Sequence, residues 1–233
     1  MRALVLILAL AAAGRAAQPA AAPTEELSGR EGWIKTPSSL LLFDSSGTLI
    51  NEIGLGSFEE PVSADIVERR KVRAGVSADG RFAWSFDKGE RLKPGKTDKP
   101  LTTTRLFIYW GTEGQELFRN ELADAPAGLE PAALSANGER LLVAERAPDG
   151  WIVAAYDFTG NRLVDASGHG ALELEQITPN GRFALVRWHE LDEDPEYALL
   201  RISAREARLF KPREAARLLD DGRVMAGKVL ISP

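Results

Sequence analysis

Residues 76–86 read VSADGRFAWSF, and the same grammar returns three times further on. It is LSANGERLLVA from Leu134, ITPNGRFALVRW from Ile177 and LLDDGRVMAG from Leu218. Each copy places an Asp-Gly or Asn-Gly pair before a run of Val, Leu, Phe or Trp. Such pairs mark tight hairpin turns, because Gly and Asn tolerate the positive φ these turns require. The runs after Gly80, Gly138 and Gly181 are short and rich in strand-forming residues, so they read as strands. Apolar residues fill successive positions, as in Phe82-Ala83-Trp84 and Leu141-Leu142-Val143. A strand apolar on both faces is buried on both faces, which places it inside a stack of sheets.

A second motif alternates with the first. It is LLLFDSSGTLI from Leu40, FIYWGTEGQEL from Phe107 and VAAYDFTGNRL from Val153, each an apolar run ending in another glycine turn. Phe43, Trp110 and Tyr156 stand at one register in these copies, four positions before the glycine. A fourth copy, ALLRISAREARL from Ala198, lacks the glycine. One unit therefore supplies strand, tight turn, strand, variable loop, strand, tight turn, strand. Four short antiparallel strands in roughly 40–50 residues is the period of a β-propeller blade.

The stretches SADGRFA at 77–83 and TPNGRFA at 178–184 resemble the TolB-like β-propeller repeat, with its Ser-Pro-Asp-Gly-Arg/Lys turn before an apolar strand. The similarity spans most of 36–233 and implies blade architecture; such repeats occur in binding scaffolds, transport accessory proteins and non-catalytic domains of peptidases, so it implies no single activity. The expected fold is all-β, a small propeller of four blades closed by pairing of the terminal strands. Val224–Ile231 would then pair near Leu40–Phe43 and spare two exposed sheet edges. The alternative is five blades, one partial. Its motivation is Leu27–Trp33, which echoes the first motif and would let the N-terminus supply its own strand. The only helices expected are short ones at Ser63–Arg70 and Arg213–Leu218, where Ala, Glu and Arg concentrate.

The chain has 233 residues, 44% hydrophobic and 27% charged, a globular composition with a formal charge of -5. That balance argues against nucleic acid as a partner, since phosphate binding needs a concentrated basic surface. Cysteine is absent, which excludes disulfides, thiolate metal sites, a cysteine nucleophile and a lipid-bearing cysteine. Met1-Arg2, the apolar run Ala3–Ala13 and the small residues after it have the order of a secretory signal peptide. The run is about half the ~20 residues that span a bilayer, so no stable membrane anchor is expected. The organisation read from the sequence is a signal peptide at 1–20, a flexible lead-in at 21–35 and a repeat domain at 36–233, placing the protein in the periplasm or outside the cell.

The loops joining the middle strands differ most, and variable loops on a rigid scaffold concentrate binding residues. Asp87–Thr104 carries Lys88, Arg91, Lys93, Lys96 and Lys99; His189–Glu196 carries Glu190, Asp192, Glu193, Asp194 and Glu196. These are the binding candidates. Against them stands the simpler reading of both loops as solvated hairpin tips. The acidic loop lacks the spaced ligand pattern of a calcium loop, and Pro195 restricts its path. His169 and His189, the two histidines, have no HExxH context, so no metal site and no cofactor is expected. Ala74, Ala132, Glu175 and Arg217, at equivalent places in the inner strands, would line a narrow channel, with Arg73 and Glu173 beside them. A Glu175–Arg217 ion pair is the structural version of that reading.

No G-x-S-x-G elbow, phosphate loop or dinucleotide fingerprint occurs. The function expected is a non-enzymatic exported module presenting charged loops to a protein or polymer. A small propeller enzyme of the metal-assisted hydrolase or lactonase type is the other reading, its site built from residues of several blades.

Overall fold

The computed structural model describes residues 31–93, 95, 99–122, 130–190 and 193–232, without the side chains of 174–175. These residues form antiparallel strands and a single 3-10 turn at Ile202–Ala204. The first sheet is β1 (Gly32–Lys35), β2 (Ser39–Phe43) and β3 (Leu49–Gly54). The second is five-stranded: β4 (Gly56–Ser63), β5 (Ile66–Val76), β6 (Ala83–Leu92), β7 (Thr102–Trp110) and β8 (Glu116–Glu121). The third holds β9 (Ala132–Leu134), β10 (Arg140–Ala147), β11 (Gly150–Asp157) and β12 (Arg162–Gly168). The fourth holds β13 (Ala171–Ile177), β14 (Phe183–His189), β15 (Glu196–Arg201) and β16 (Glu206–Phe210). The last is β17 (Ala216–Leu218), β18 (Val224–Ala226) and β19 (Val229–Ile231).

Consecutive sheets stack face to face, and an apolar cluster fills each junction. Leu141 and Val143 of β10 face the second sheet, while Leu142 and Ala144 face the fourth. This is the two-faced burial read from the successive apolar positions. Inner strands follow one another in space as in sequence: β5 beside β1, β9 beside β5, β13 beside β9 and β17 beside β13. That is the arrangement of propeller blades.

The first motif owes its repetition to a hydrogen-bond network. Gly80 N–H donates to Ser77 O at 3.0 Å, and Phe82 N–H donates to Ser77 Oγ at 3.0 Å. Ser135 serves Arg140, and Thr178 serves Phe183, in the same way. These hydroxyls are buried, and each satisfies a backbone donor that has no ladder partner. The turn glycines also nest against the preceding blade. A Cβ on Gly138 would run into the Phe82 ring, and one on Gly222 into the Phe183 ring. Their φ values of +68° and +88° add a second reason for glycine. In the fourth blade Arg205 stands where the second motif has its glycine, and it adopts φ 57°, the one positive φ outside glycine among the described residues.

The expected sharing of one blade by both ends is corrected. Leu40–Phe43 pairs with Gly32–Lys35 on one side and with Leu49–Gly54 on the other, so no edge is left for the C-terminus. Val224–Ala226 likewise lies between Ala216–Leu218 and Val229–Ile231. The N-terminal segment supplies β1, and the first strand starts inside the stretch read as lead-in. Neither expected helix forms. Ser63–Arg70 is the end of β4, a turn and the start of β5; Arg213–Leu218 runs into β17. Cross-strand partners such as Glu59 for Arg69 reward the extended form, and tertiary pairing overrides local helix propensity.

Candidate functional site

The second blade departs from its neighbours in two places, and both departures build one groove. Its inner strand β5 has 11 residues, its first half paired with the added strand β4. β6 and β7 are lengthened to match, with register maintained from Val67↔Leu92 and Arg91↔Thr102 up to the blade core. The result is an arm projecting from the blade. Residues at every second position face one side of it: Phe58 and Glu60, Glu68, Arg70 and Val72, Ser85 and Asp87, Leu106, Ile108 and Trp110.

The first blade covers only part of that face. Trp33, Leu40 and Leu42 pack on Val72, Ala74 and Ala83, and beyond them the sheet is open. There lies a cavity of about 390 Å³ walled by Asn51, Ile53 and Gly54 of β3 and by Phe58 and Glu60 of β4. Val72, Leu106, Ile108 and Trp110 give it an apolar floor. Its polar groups are held in place. Trp110 Nε1 donates to Ser85 Oγ at 2.9 Å, and Asp87 is ion-paired with Arg70, whose pKa it raises by hydrogen bonding. An apolar, concave surface of this volume with a few fixed polar groups is what ligand sites look like.

Only part of the lysine-rich stretch is a loop, because β6 runs to Leu92 and β7 starts at Thr102. Lys88 and Arg91 are strand residues of β6, and neither charge is unanswered. Lys88 Nζ lies 2.6 Å from Glu90 Oε1, and Arg91 Nε lies 3.6 Å from Glu68 Oε2. Lys93 and Lys99 are exposed in the β6–β7 connection; Lys96 lies outside the described residues. In the fourth blade Glu190, Asp194 and Glu196 line a cavity of about 70 Å³ with His169, Trp188, His189, Glu193 and Lys211. Asp192 lies outside the described residues. His169 Nδ1 is 2.8 Å from Asp149 O, a loop contact. Among the described residues no three His, Cys, Asp or Glu side chains are placed to share a metal ion.

The channel candidates are dispersed. Ala74 and Ala132 are buried in the clusters between blades, so they line no opening. Glu173 pairs with Arg187, opposite it on β14, and lies 3.7 Å from His189 Nδ1. Arg73 sits on β5 and is partnered. The side chain of Glu175 is outside the described set, so its pairing with the exposed Arg217 is not among the contacts. The link seen between β13 and β17 is Leu218 N–H donating to Gln176 Oε1 at 2.8 Å.

Sequence reasoning missed the groove, although a signal existed. The chain between Gly47 and Gly80 is longer than between later pairs of turns, and so is that between Gly80 and Gly114. Both extra lengths belong to one blade.

No protein-family model matches this chain, and no curated protein does. Among solved structures it is similar to TolB from Acinetobacter baumannii, at 12% identity and a TM-score of 0.40 over 88% of this chain and 49% of that one. The chain thus spans about half the length of that protein. It is similar, too, to a protein of unknown function from Bacteroides caccae, with 13% identity, a TM-score of 0.33 and coverage of 85% and 80%. A provisional 6-phosphogluconolactonase from Bacteroides fragilis gives 13% identity and a TM-score of 0.33, over 79% and 71%. The resemblance to TolB-like repeats is one of blade architecture. That architecture stands on this chain's own strand order and turns.

Proposed function

We propose that this protein is an exported, non-enzymatic binding module whose partner is a protein and whose contact surface is the groove of the second blade. The observation that carries this reading is the concave groove between β3 and the arm, where the half-buried Leu106 and Trp110 are flanked by the buried Val72 and Ile108. A rigid stack of sheets keeps this surface preformed, so binding costs little ordering entropy. The charged stretches first read as the contact surface are secondary, because Lys88 and Arg91 already answer acidic neighbours. Export rests on the basic, apolar and small-residue order of the N-terminus. No helix among the described residues is long and apolar enough to cross a membrane.

Photo-cross-linking in the producing cell tests the reading. Benzoylphenylalanine replacing Phe58, at the groove wall, is expected to capture a discrete protein. The same group replacing Phe158, exposed at a turn of the third blade, is expected to capture none. Equal labelling from both positions, or none from position 58, would overturn the assignment.

A further inference from the structure

One wall of the groove belongs to an edge strand and a carboxylate stands in its lining, and together they specify an occupant. Three residues of its wall belong to β3, the last strand in the order β1-β2-β3. One edge of β3 therefore carries N–H and C=O groups without a ladder partner among the described residues. The floor beside it continues an interface already formed, since Ile53, Val72 and Trp110 belong both to the apolar cluster between the first two blades and to the groove. A further strand laid along β3 would extend the packing of the first blade across the open face of the second.

Glu60 puts a carboxylate into the lining of the groove, on the projecting arm. Glu60 stands directly opposite Glu68 in the β4–β5 pair. Like charges at opposed positions are destabilising, so this placement works against the hairpin that carries it. Arg91 lies near Glu68, and Arg70, the cation that Glu60 influences, is already engaged by Asp87. A cation arriving beside Glu60 relieves the repulsion.

We infer that the groove takes an extended polypeptide segment that pairs with β3, places alternate apolar side chains on the floor, and carries a lysine or arginine beside Glu60. The inference rests on the binding reading above and gives it a ligand chemistry. It is strand addition, with main-chain bonds supplying affinity and alternate side chains supplying selectivity.

The probes are capped octapeptides alternating threonine and valine, with lysine or glutamate placed at either end, titrated by calorimetry against the full chain. A lysine-bearing peptide is expected to bind roughly five- to tenfold tighter than its glutamate counterpart, the scale of a part-exposed ion pair gained against a like-charge contact. Glu60→Lys is expected to invert that preference while leaving the melting temperature unchanged or raised. A peptide N-methylated at alternate residues is expected not to bind. Equal binding of lysine and glutamate peptides, or undiminished binding of the N-methylated one, overturns the inference and leaves the binding module standing if Phe58→Ala abolishes binding. Absence of binding by every peptide, with position 58 still cross-linking a protein, overturns the inference alone. Self-association that competes with peptide assigns the groove to a second copy and overturns it as well.

Discussion

The third blade and the second are written in the same repeat but solve different problems. In the third, β10 and β11 are buried on both faces between neighbours, and Leu141, Leu142, Val143 and Ala144 leave almost no surface in water. In the second, the upper halves of β5, β6 and β7 do the same, with Ala74, Trp84 and Phe107 buried. The lower halves then run out past the adjoining blade. There the strands turn charged, and Arg69, Arg91 and Lys88 find acidic partners on a neighbouring strand or their own. The difference teaches that the repeat specifies stacking wherever a neighbour exists. Where the neighbour ends, the backbone ladder carries the ribbon on under charged side chains and leaves a groove beside its apolar residues.

The largest effect is expected where stacking is tightest. Gly138→Val strains a residue at φ +68° and drives a side chain into Phe82 of the preceding blade. A loss of roughly 3 kcal/mol is expected, combining backbone strain with overpacking. Urea titration checks it; a loss below 1 kcal/mol would mean the blades are not locked through these turns.

Removing the buried hydroxyl should come next. Ser135→Ala strands the N–H of Arg140, now 3.1 Å from Ser135 Oγ, at a cost of about 1–2 kcal/mol. The fifth sheet has Leu219 at the same place and keeps the backbone bonds from Gly222 N–H to Leu219 O at 2.9 Å and from Leu219 N–H to Arg223 O at 2.8 Å, without a hydroxyl acceptor. Leu219→Ala is therefore expected to leave Val224 N–H, five residues on, unaffected in amide exchange, whereas Ser135→Ala should speed exchange at Arg140.

Arg205→Gly is expected to stabilise by about 0.5–1 kcal/mol, because a non-glycine residue at positive φ is strained. A higher melting temperature with unchanged spectra is the expected readout. An unchanged or lower one would show that the arginine side chain offsets the strain.

The smallest effect concerns acid. Ser46 and Thr48 hold the Asp44 carboxyl below its ordinary value by hydrogen bonding. At Asp157 burial pushes upward, but hydrogen bonds from Thr159 and Asn161 outweigh it and the net shift is down. A depressed folded-state pKa contributes stability that is complete above the unfolded value and is lost as pH falls through the folded one. Stability should therefore decline below about pH 4, the ordinary carboxylate range, and Asp157→Asn should flatten that decline in acid titrations followed by circular dichroism. An unaltered acid limb would break the assignment of these turns as the acid-sensitive element.

The blade pattern is legible in the chain. Asp-Gly and Asn-Gly turns, apolar runs and recurrent aromatics are local features, and each acts through backbone preference and burial that the chain carries with it. The echo of the first motif at Leu27–Trp33 was legible too, and it pointed to the strand Gly32–Lys35. The rest depends on which strands and side chains meet in the folded molecule. Whether Val224–Ile231 meets Leu40–Phe43 depends on which strand reaches β2 first, and Gly32–Lys35 occupies that edge. Whether Lys88 and Arg91 are free to bind depends on what stands across the ladder from Glu68 and beside Glu90, which composition does not reveal. The groove is the clearest case. Phe58, Val72, Ile108 and Trp110 are far apart along the chain, and they share a surface only because the first blade is too short to cover the second.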